Sequence, residues 1–73
     1  MTWEELKEEA KKMEYHIGIF VNDENIQKDI IRDEYTAFHK DGSIWFDDDC
    51  GGSYMAYEQK SYEKMLAIMK ALQ

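Results

Sequence analysis

Apolar side chains near the start of the chain repeat at helical spacing. Steps of three or four residues, which place side chains on one face of an α-helix, separate Trp3, Leu6, Ala10 and Met13. Thr2 stands three positions before Glu5. This spacing is typical of a capping box, in which each side chain accepts a hydrogen bond from the other residue's backbone N–H. The pattern predicts an N-terminal helix that begins after Thr2.

A second helical pattern closes the chain. Its apolar stripe is wider than the first and consists of Tyr62, Met65, Leu66, Ile68, Met69 and Leu72. Ser61 precedes it and is a favourable N-cap residue. We therefore expect a C-terminal helix that contributes more apolar surface to the core than any other element.

Between the helices, β-branched and aromatic residues cluster over 15–21, 35–39, 43–46 and 53–57, and such runs favour β-strands. Lys40-Asp41-Gly42 separates the second run from the third. An Asp-Gly pair in this position is typical of a tight hairpin whose glycine takes a positive φ. Residues 26–33 fit either a short turn-like connection or an irregular edge strand. We favour the turn, because Ile26 and Ile30 are one helical turn apart.

These elements predict an α+β fold in one domain over 1–73: an N-terminal helix, a three- or four-stranded antiparallel sheet and a C-terminal helix. Both helices should pack on one face of the sheet. The other face should be wetted and should expose aromatic side chains, drawn from Tyr35, Trp45, Tyr54 and Tyr57. This order of elements is similar to that of the double-stranded-RNA-binding domain. The basic cluster that this resemblance implies at the start of the last helix is missing, because the sequence there is Gln-Lys-Ser-Tyr-Glu-Lys over 59–64.

The charge of the chain excludes several classes of partner. A formal net charge of -7 and a pI near 4.6 oppose direct binding to nucleic-acid phosphates or to an anionic membrane. The single cysteine, Cys50, cannot form an internal disulfide, so a reducing cytoplasm is the expected location. No apolar run is long enough to predict a membrane span.

Acidic residues are concentrated in one segment. Between Lys40 and Lys60 the chain has no cation and five carboxylates, which belong to Asp41, Asp47, Asp48, Asp49 and Glu58. Clustered like charge destabilises a compact state and favours a partner that neutralises it. Tyrosine and tryptophan are common anchors of protein interfaces. We therefore predict that the five acids bind a basic protein partner together with Trp45, Tyr54 and Tyr57.

A metal site is the first alternative for this segment. Asp47, Asp49, Gly52 and Glu58 occupy positions 1, 3, 6 and 12 of an EF-hand calcium loop. The ligand position five is a glycine, however, and the hairpin at Asp41 and Gly42 excludes the incoming helix. We assign no metal ligand, and a metal-responsive loop over 47–58 stays an alternative.

Catalysis is not predicted. Three carboxylates directly before Cys50 would raise its thiol pKa and suppress the thiolate, and no pattern places His16 or His39 beside it. One cysteine and two histidines are too few for a closed zinc site. We expect no enzyme activity and no cofactor.

The predicted function is a small, non-enzymatic protein-binding module. One specific form is a nucleic-acid mimic that occupies the basic surface of a DNA- or RNA-handling protein. In its small size and acidity the chain resembles phage-encoded inhibitors such as anti-CRISPR proteins, which implies an inhibitory role. A structural domain that forms a homodimer through an open sheet edge is the remaining alternative.

Overall fold

The computed structural model describes residues 1–21, 26–48 and 52–73, without the side chains at 20, 21 and 26–28. Within these ranges two helices flank five strands: α1 Trp3–Lys12, β1 His16–Val21, β2 Ile26–Arg32, β3 Thr36–Phe38, β4 Ser43–Asp47, β5 Ser53–Glu58 and α2 Tyr62–Ala71. The strands form one antiparallel sheet in the order β1-β2-β3-β4-β5. The predicted α+β class is confirmed.

The expected number of strands, three or four, is wrong, because 26–32 forms a central strand. Ile31 pairs with Ile17 on one side and with Phe38 on the other. Its neighbour Ile30 points to the opposite face of the sheet, and both isoleucines are buried. Ile26 and Ile30 are spaced as in a helical turn, and this spacing caused the error.

Both predicted helix starts are confirmed. Glu5 N donates to Thr2 Oγ1 at 3.1 Å, and Thr2 N donates to Glu5 Oε1 at 2.7 Å, which completes the capping box. Ser61 caps α2 by accepting from Lys64 N at 3.3 Å. Glu14, two residues after the last residue of α1, has a φ of 69°, a conformation usually taken by glycine at this position.

The two helices and one face of the sheet share one hydrophobic cluster. Ile31, Phe38 and Ile44 occupy paired positions on β2, β3 and β4, so their side chains project from the same face. They pack with four fully buried side chains of the helices, namely Leu6, Ala10, Met65 and Met69. Neither described helix has the length and apolarity that crossing a membrane requires.

Polar contacts attach each helix to the sheet. Lys7 of α1 forms an ion pair with Asp29 of β2. The hydroxyl of Tyr62 donates to Lys40 O at 2.8 Å, and Gln59 N donates to Gly42 O at 2.8 Å. The hairpin between β3 and β4 is therefore bonded to the start of α2.

The helices leave β5 uncovered. All six of its residues are exposed, and its outer edge pairs with no described strand. Ile44 pairs with Tyr57 while Trp45 pairs with Met55, so Ala56 is an extra residue and forms a bulge. Because of this bulge, the side chains of β5 do not alternate regularly between the two faces of the sheet.

Gly42 is the residue whose replacement we expect to damage this fold most clearly. It is buried, has a φ of +99°, and a Cβ there would stand 2.8 Å from Gln59 O. We predict that Gly42→Ala lowers the free energy of unfolding in urea by about 2 kcal/mol, through backbone strain and this clash. Gly18→Ala is the control, since its Cβ would meet its nearest neighbours at 3.6 and 3.7 Å. Equal stability of the two variants would contradict the prediction.

Candidate functional site

A pocket of about 500 Å³ lies on the sheet face that the helices leave open. Its lining includes Ile30, Ala37 and Trp45. Each of them is the sequence neighbour of a core residue, namely Ile31, Phe38 and Ile44. Because side chains alternate along a strand, these residues project away from the helices. We call this cavity the Trp45 pocket.

Aromatic and aliphatic groups form part of its wall. The rings of Trp45 and His39 lie with their centroids 5.9 Å apart and their planes tilted by 47°. Ile30 lines the pocket with only 8% of its surface exposed and does not belong to the cluster under the helices. Partial burial lowers the pKa of His39, and the nearby Asp41 carboxylate opposes this effect more weakly. The imidazole is therefore neutral at neutral pH.

Hydrogen bonds fix the Trp45 ring to the hairpin. Its Nε1–H donates to Ser43 Oγ at 3.0 Å, and the Ser43 hydroxyl donates to Asp41 Oδ1 at 2.6 Å. Ser43 N donates to the same carboxylate oxygen at 2.9 Å. These donors lower the pKa of Asp41, so its carboxylate is ionised at neutral pH. Ring, hydroxyl and carboxylate form one connected network.

Two further carboxylates line the pocket, those of Asp33 and Asp47. Asp33 Oδ1 accepts from the backbone N–H groups of Tyr35 and Thr36, at 2.9 and 2.8 Å. Asp47 lies at the exposed end of β4, where its backbone N–H donates to Tyr35 O at 2.8 Å. Within the described ranges, neither the carboxylate of Asp47 nor Oδ2 of Asp33 or Asp41 accepts a hydrogen bond.

Arg32 is the one cationic side chain among the lining residues. Its Cδ lies 3.6 Å from the point where a Cβ would stand on Gly18, so its stem extends over β1, away from Trp45 on β4. It makes no ion pair with any carboxylate in the described parts of the chain. Three carboxylates against one guanidinium give the lining a formal charge of -2 when His39 is neutral.

The structure places three of the predicted partner-binding residues together: Asp41, Trp45 and Asp47 all line the pocket. Glu58 pairs with Ser43 in the sheet, but its carboxylate lies 3.7 Å from the Lys60 ammonium. Asp48 is exposed and accepts from Gly52 N at 2.9 Å. Asp49 lies outside the described residues. The acids are thus partly balanced, by Lys60 and by Arg32.

Tyr54 and Tyr57 fall on the other side of the sheet. They pair with Phe46 and Ile44, whose side chains point toward the helices, and the Tyr54 and Phe46 rings are 6.3 Å apart. The tyrosines remain 53% and 50% exposed, because the helices do not extend over β5. The predicted set therefore divides between two surfaces.

Two of the EF-hand candidates, Asp47 and Glu58, are described by the structure, and it places them far apart. Ser53, at the start of β5, pairs with Asp47, whereas Glu58 ends the same strand. Ser53 and Glu58 are five residue steps apart along the strand, a distance of roughly 16 Å. Among the described residues, no group of three His, Cys, Asp or Glu side chains is placed to hold a metal ion. Cys50, the nucleophile considered above, lies outside the described residues.

Several lining residues were not predicted, among them Ile30, Arg32, Asp33, His39 and Ser43. The alternation rule could have found two of them. Once the hairpin is placed at Asp41 and Gly42, His39 and Ser43 fall on the same face as Trp45. The residues of β2 and of the turn after it could not be placed, because 26–33 was assigned as a connection.

Comparisons of this chain with protein-family models, with curated proteins and with solved structures gave no match. The geometry of its own residues is therefore the basis for assigning a function.

The lowered pKa of Asp41 predicts a pH-dependent contribution to stability. A carboxylate whose pKa is lower in the folded state stabilises the protein above its unfolded pKa, near 3.8, and loses this effect as the pH falls through the folded value. We expect Asp41→Asn to lower the free energy of unfolding by about 1 kcal/mol near neutral pH. The difference from the parent should disappear below the folded pKa.

Urea unfolding at a series of pH values, from about pH 7 downward through the acid range below 3.8, measures this effect. Asp47→Asn is the matched control, because it removes the same charge from the same pocket without breaking a hydrogen bond of the described structure. If both variants lose the same stability at neutral pH, the contribution of the Asp41 hydrogen bonds is refuted.

Proposed function

We propose that this chain is a small, non-enzymatic protein-binding module that docks on a basic surface of another protein through the open face of its sheet. The observation that carries this proposal is the lining of the Trp45 pocket, where an aromatic wall stands beside three carboxylates and one guanidinium. A partner that inserts apolar and cationic groups would complement both features. We place this module in the cytoplasm.

Charge and shape have separate roles in this proposal. The net charge of -7 would increase the rate of encounter with a basic protein, and this steering weakens as ionic strength rises. A half-buried tryptophan would supply an anchor, because aromatic side chains bury a large area at low entropic cost. The carboxylates would then fix the orientation of the complex.

The more specific form of the proposal is an inhibitor that mimics nucleic acid, of the type encoded by phages or mobile elements. Exposed acids occur near both ends of β4, at Asp41 and at Asp47 and Asp48. A protein with a channel for DNA or RNA presents clustered lysine and arginine side chains there. The acids of this chain would bind those side chains in place of phosphates. Nucleic acid should then compete with this chain for the partner.

Reversal of the acids at the end of β4 tests the proposal. We expect Asp47, Asp48 and Asp49→Lys to abolish binding to a basic partner captured from a host-cell extract, because three attractive charges become repulsive. The control variant replaces Glu8, Glu9 and Glu34 with lysine, which changes the net charge equally on other surfaces. Affinity should be measured at low and high salt, and again with duplex DNA or single-stranded RNA as competitor.

Loss of binding in the β4 variant alone, together with weaker binding at high salt, supports docking through the open face. Equal binding by both variants excludes it. If binding depends on the acids but nucleic acid does not compete with it, the docking proposal is kept and the proposal of a nucleic-acid mimic is rejected.

A second candidate function is self-association through β5, and the complete exposure of this edge strand favours it. An unguarded apolar edge is a template for pairing with another strand. β5 contains neither lysine nor proline, and its one charged residue, Glu58, has an ion-pair partner in Lys60. An antiparallel pair of β5 strands would place Tyr54 of one copy opposite Tyr57 of the other.

A lysine on β5 tests this candidate, since lysine at an edge opposes strand pairing. If β5 mediates a homodimer, the parent should sediment as a larger species as its concentration rises, and Tyr57→Lys should remain at the monomer mass of 8.7 kDa. Tyr35→Lys is the matched control, because Tyr35 is 62% exposed and lies outside β5. If the parent protein is monomeric at both low and high concentration, the dimer is ruled out.

A further inference from the structure

We propose that the Trp45 pocket binds an arginine side chain of the partner protein, with the guanidinium stacked on the indole and paired with carboxylates of the pocket. This inference rests on the proposed function, because it names the side chain that the basic partner would supply.

The indole of Trp45 is held in a fixed position. Because Trp45 Nε1–H already donates to Ser43 Oγ at 3.0 Å, the ring cannot turn freely and has no remaining donor to offer a ligand. The part of the indole left to contact a ligand in the pocket is therefore its aromatic surface. A tryptophan face is the strongest aromatic partner for a cation, and arginine is the cation most often found there.

The carboxylates of the pocket are able to accept hydrogen bonds from a cation. Asp41 is ionised and held by Ser43 through Oδ1, while its Oδ2 accepts no hydrogen bond within the described ranges. Asp47 also lines the pocket, and its carboxylate has no partner in the described part of the chain. A guanidinium has five N–H donors in a planar fork, so it can pair with a carboxylate and stack on a ring at once.

Arg32 is the internal cation that could compete with a ligand for the pocket. Arg32 could fill the same role only if its guanidinium reached Trp45, but its stem extends over Gly18 on β1. Its charge leaves the lining at -2, so an additional cation is attracted and an anion is not. A lysine ammonium satisfies the charge but lacks the planar face that stacks on an indole.

A peptide titration followed by NMR tests the inference without the natural partner. The probe is acetyl-Gly-Arg-Gly-amide, and the signal is the indole Nε1–H of Trp45 in the full chain. We expect a saturable shift of this signal at millimolar peptide. The indole of Trp3, which is buried under the opposite face, should not move and serves as an internal reference.

Two matched peptides and two variants complete the test. Citrulline in place of arginine keeps the shape and removes the charge, and lysine keeps the charge and removes the plane. Both should bind at least about tenfold more weakly. Asp47→Asn should weaken binding of the arginine peptide several-fold, whereas Glu34→Gln, an equal charge change at an exposed position outside the pocket, should leave it unchanged.

Each result decides the inference. No saturable shift, equal binding of the citrulline peptide, or equal loss in both variants overturns the pocket as a cation site, and equal binding of the lysine peptide overturns the assignment to arginine. The proposed function can fail separately. If the peptide does not bind but capture of the partner still depends on Asp47, Asp48 and Asp49, only the arginine pocket is wrong. If the peptide binds and no partner is captured through these acids, the docking proposal is wrong.

Discussion

The tight turn at Asp41 and Gly42 determines the position of both the pocket and the second helix. Its positive φ of +99° at Gly42 closes the hairpin, and the resulting register places Trp45 opposite Ala37. The turn also brings Asp41 within hydrogen-bonding distance of the Ser43 hydroxyl and N–H, which in turn hold the indole. On its outer side, Gly42 O accepts from Gln59 N at the approach to α2. A change in this turn would therefore disturb the aromatic wall and the helix contact together.

Two short helices can cover only one face of a five-stranded sheet, and this explains where the functional candidates lie. The helices bury Ile31, Phe38 and Ile44 and leave the opposite face and β5 to solvent. On the open face, side chains alternate with those of the core, so a half-buried tryptophan and three carboxylates are displayed on a rigid surface. On β5, the bulge at Ala56 turns both Tyr54 and Tyr57 toward the helix side, where no helix reaches them. The fold thus presents two different surfaces, one acidic and aromatic, the other an open edge.

The elements that depend on neighbouring residues could be predicted from the sequence, whereas those that depend on residues far apart in the chain could not. The capping box at Thr2 and the hairpin at Gly42 depend on residues within four positions of each other, and both are confirmed. By contrast, β2 became a central strand only because β1 and β3 pair with it, and the sequence of 26–32 contains no sign of those partners. Asp41, Trp45 and Asp47 were predicted to act together and do share a pocket. Arg32 was missed because its strand was missed, and the separation of Tyr54 and Tyr57 from Trp45 depends on a bulge that alternation alone cannot predict.

The three carboxylates of the pocket differ in whether they have a structural role in the fold. Asp33 and Asp41 each accept backbone N–H groups two or three residues ahead, a local role that aspartate fills in turns whether or not a ligand is present. Asp47 has no such role, since its carboxylate makes no hydrogen bond or ion pair within the described ranges. It adds negative charge to a site that is already acidic, which costs stability through repulsion. Within the described ranges Asp47 makes no local bond that folding would require, so it is the position at which the docking proposal and a purely structural account of this face differ most.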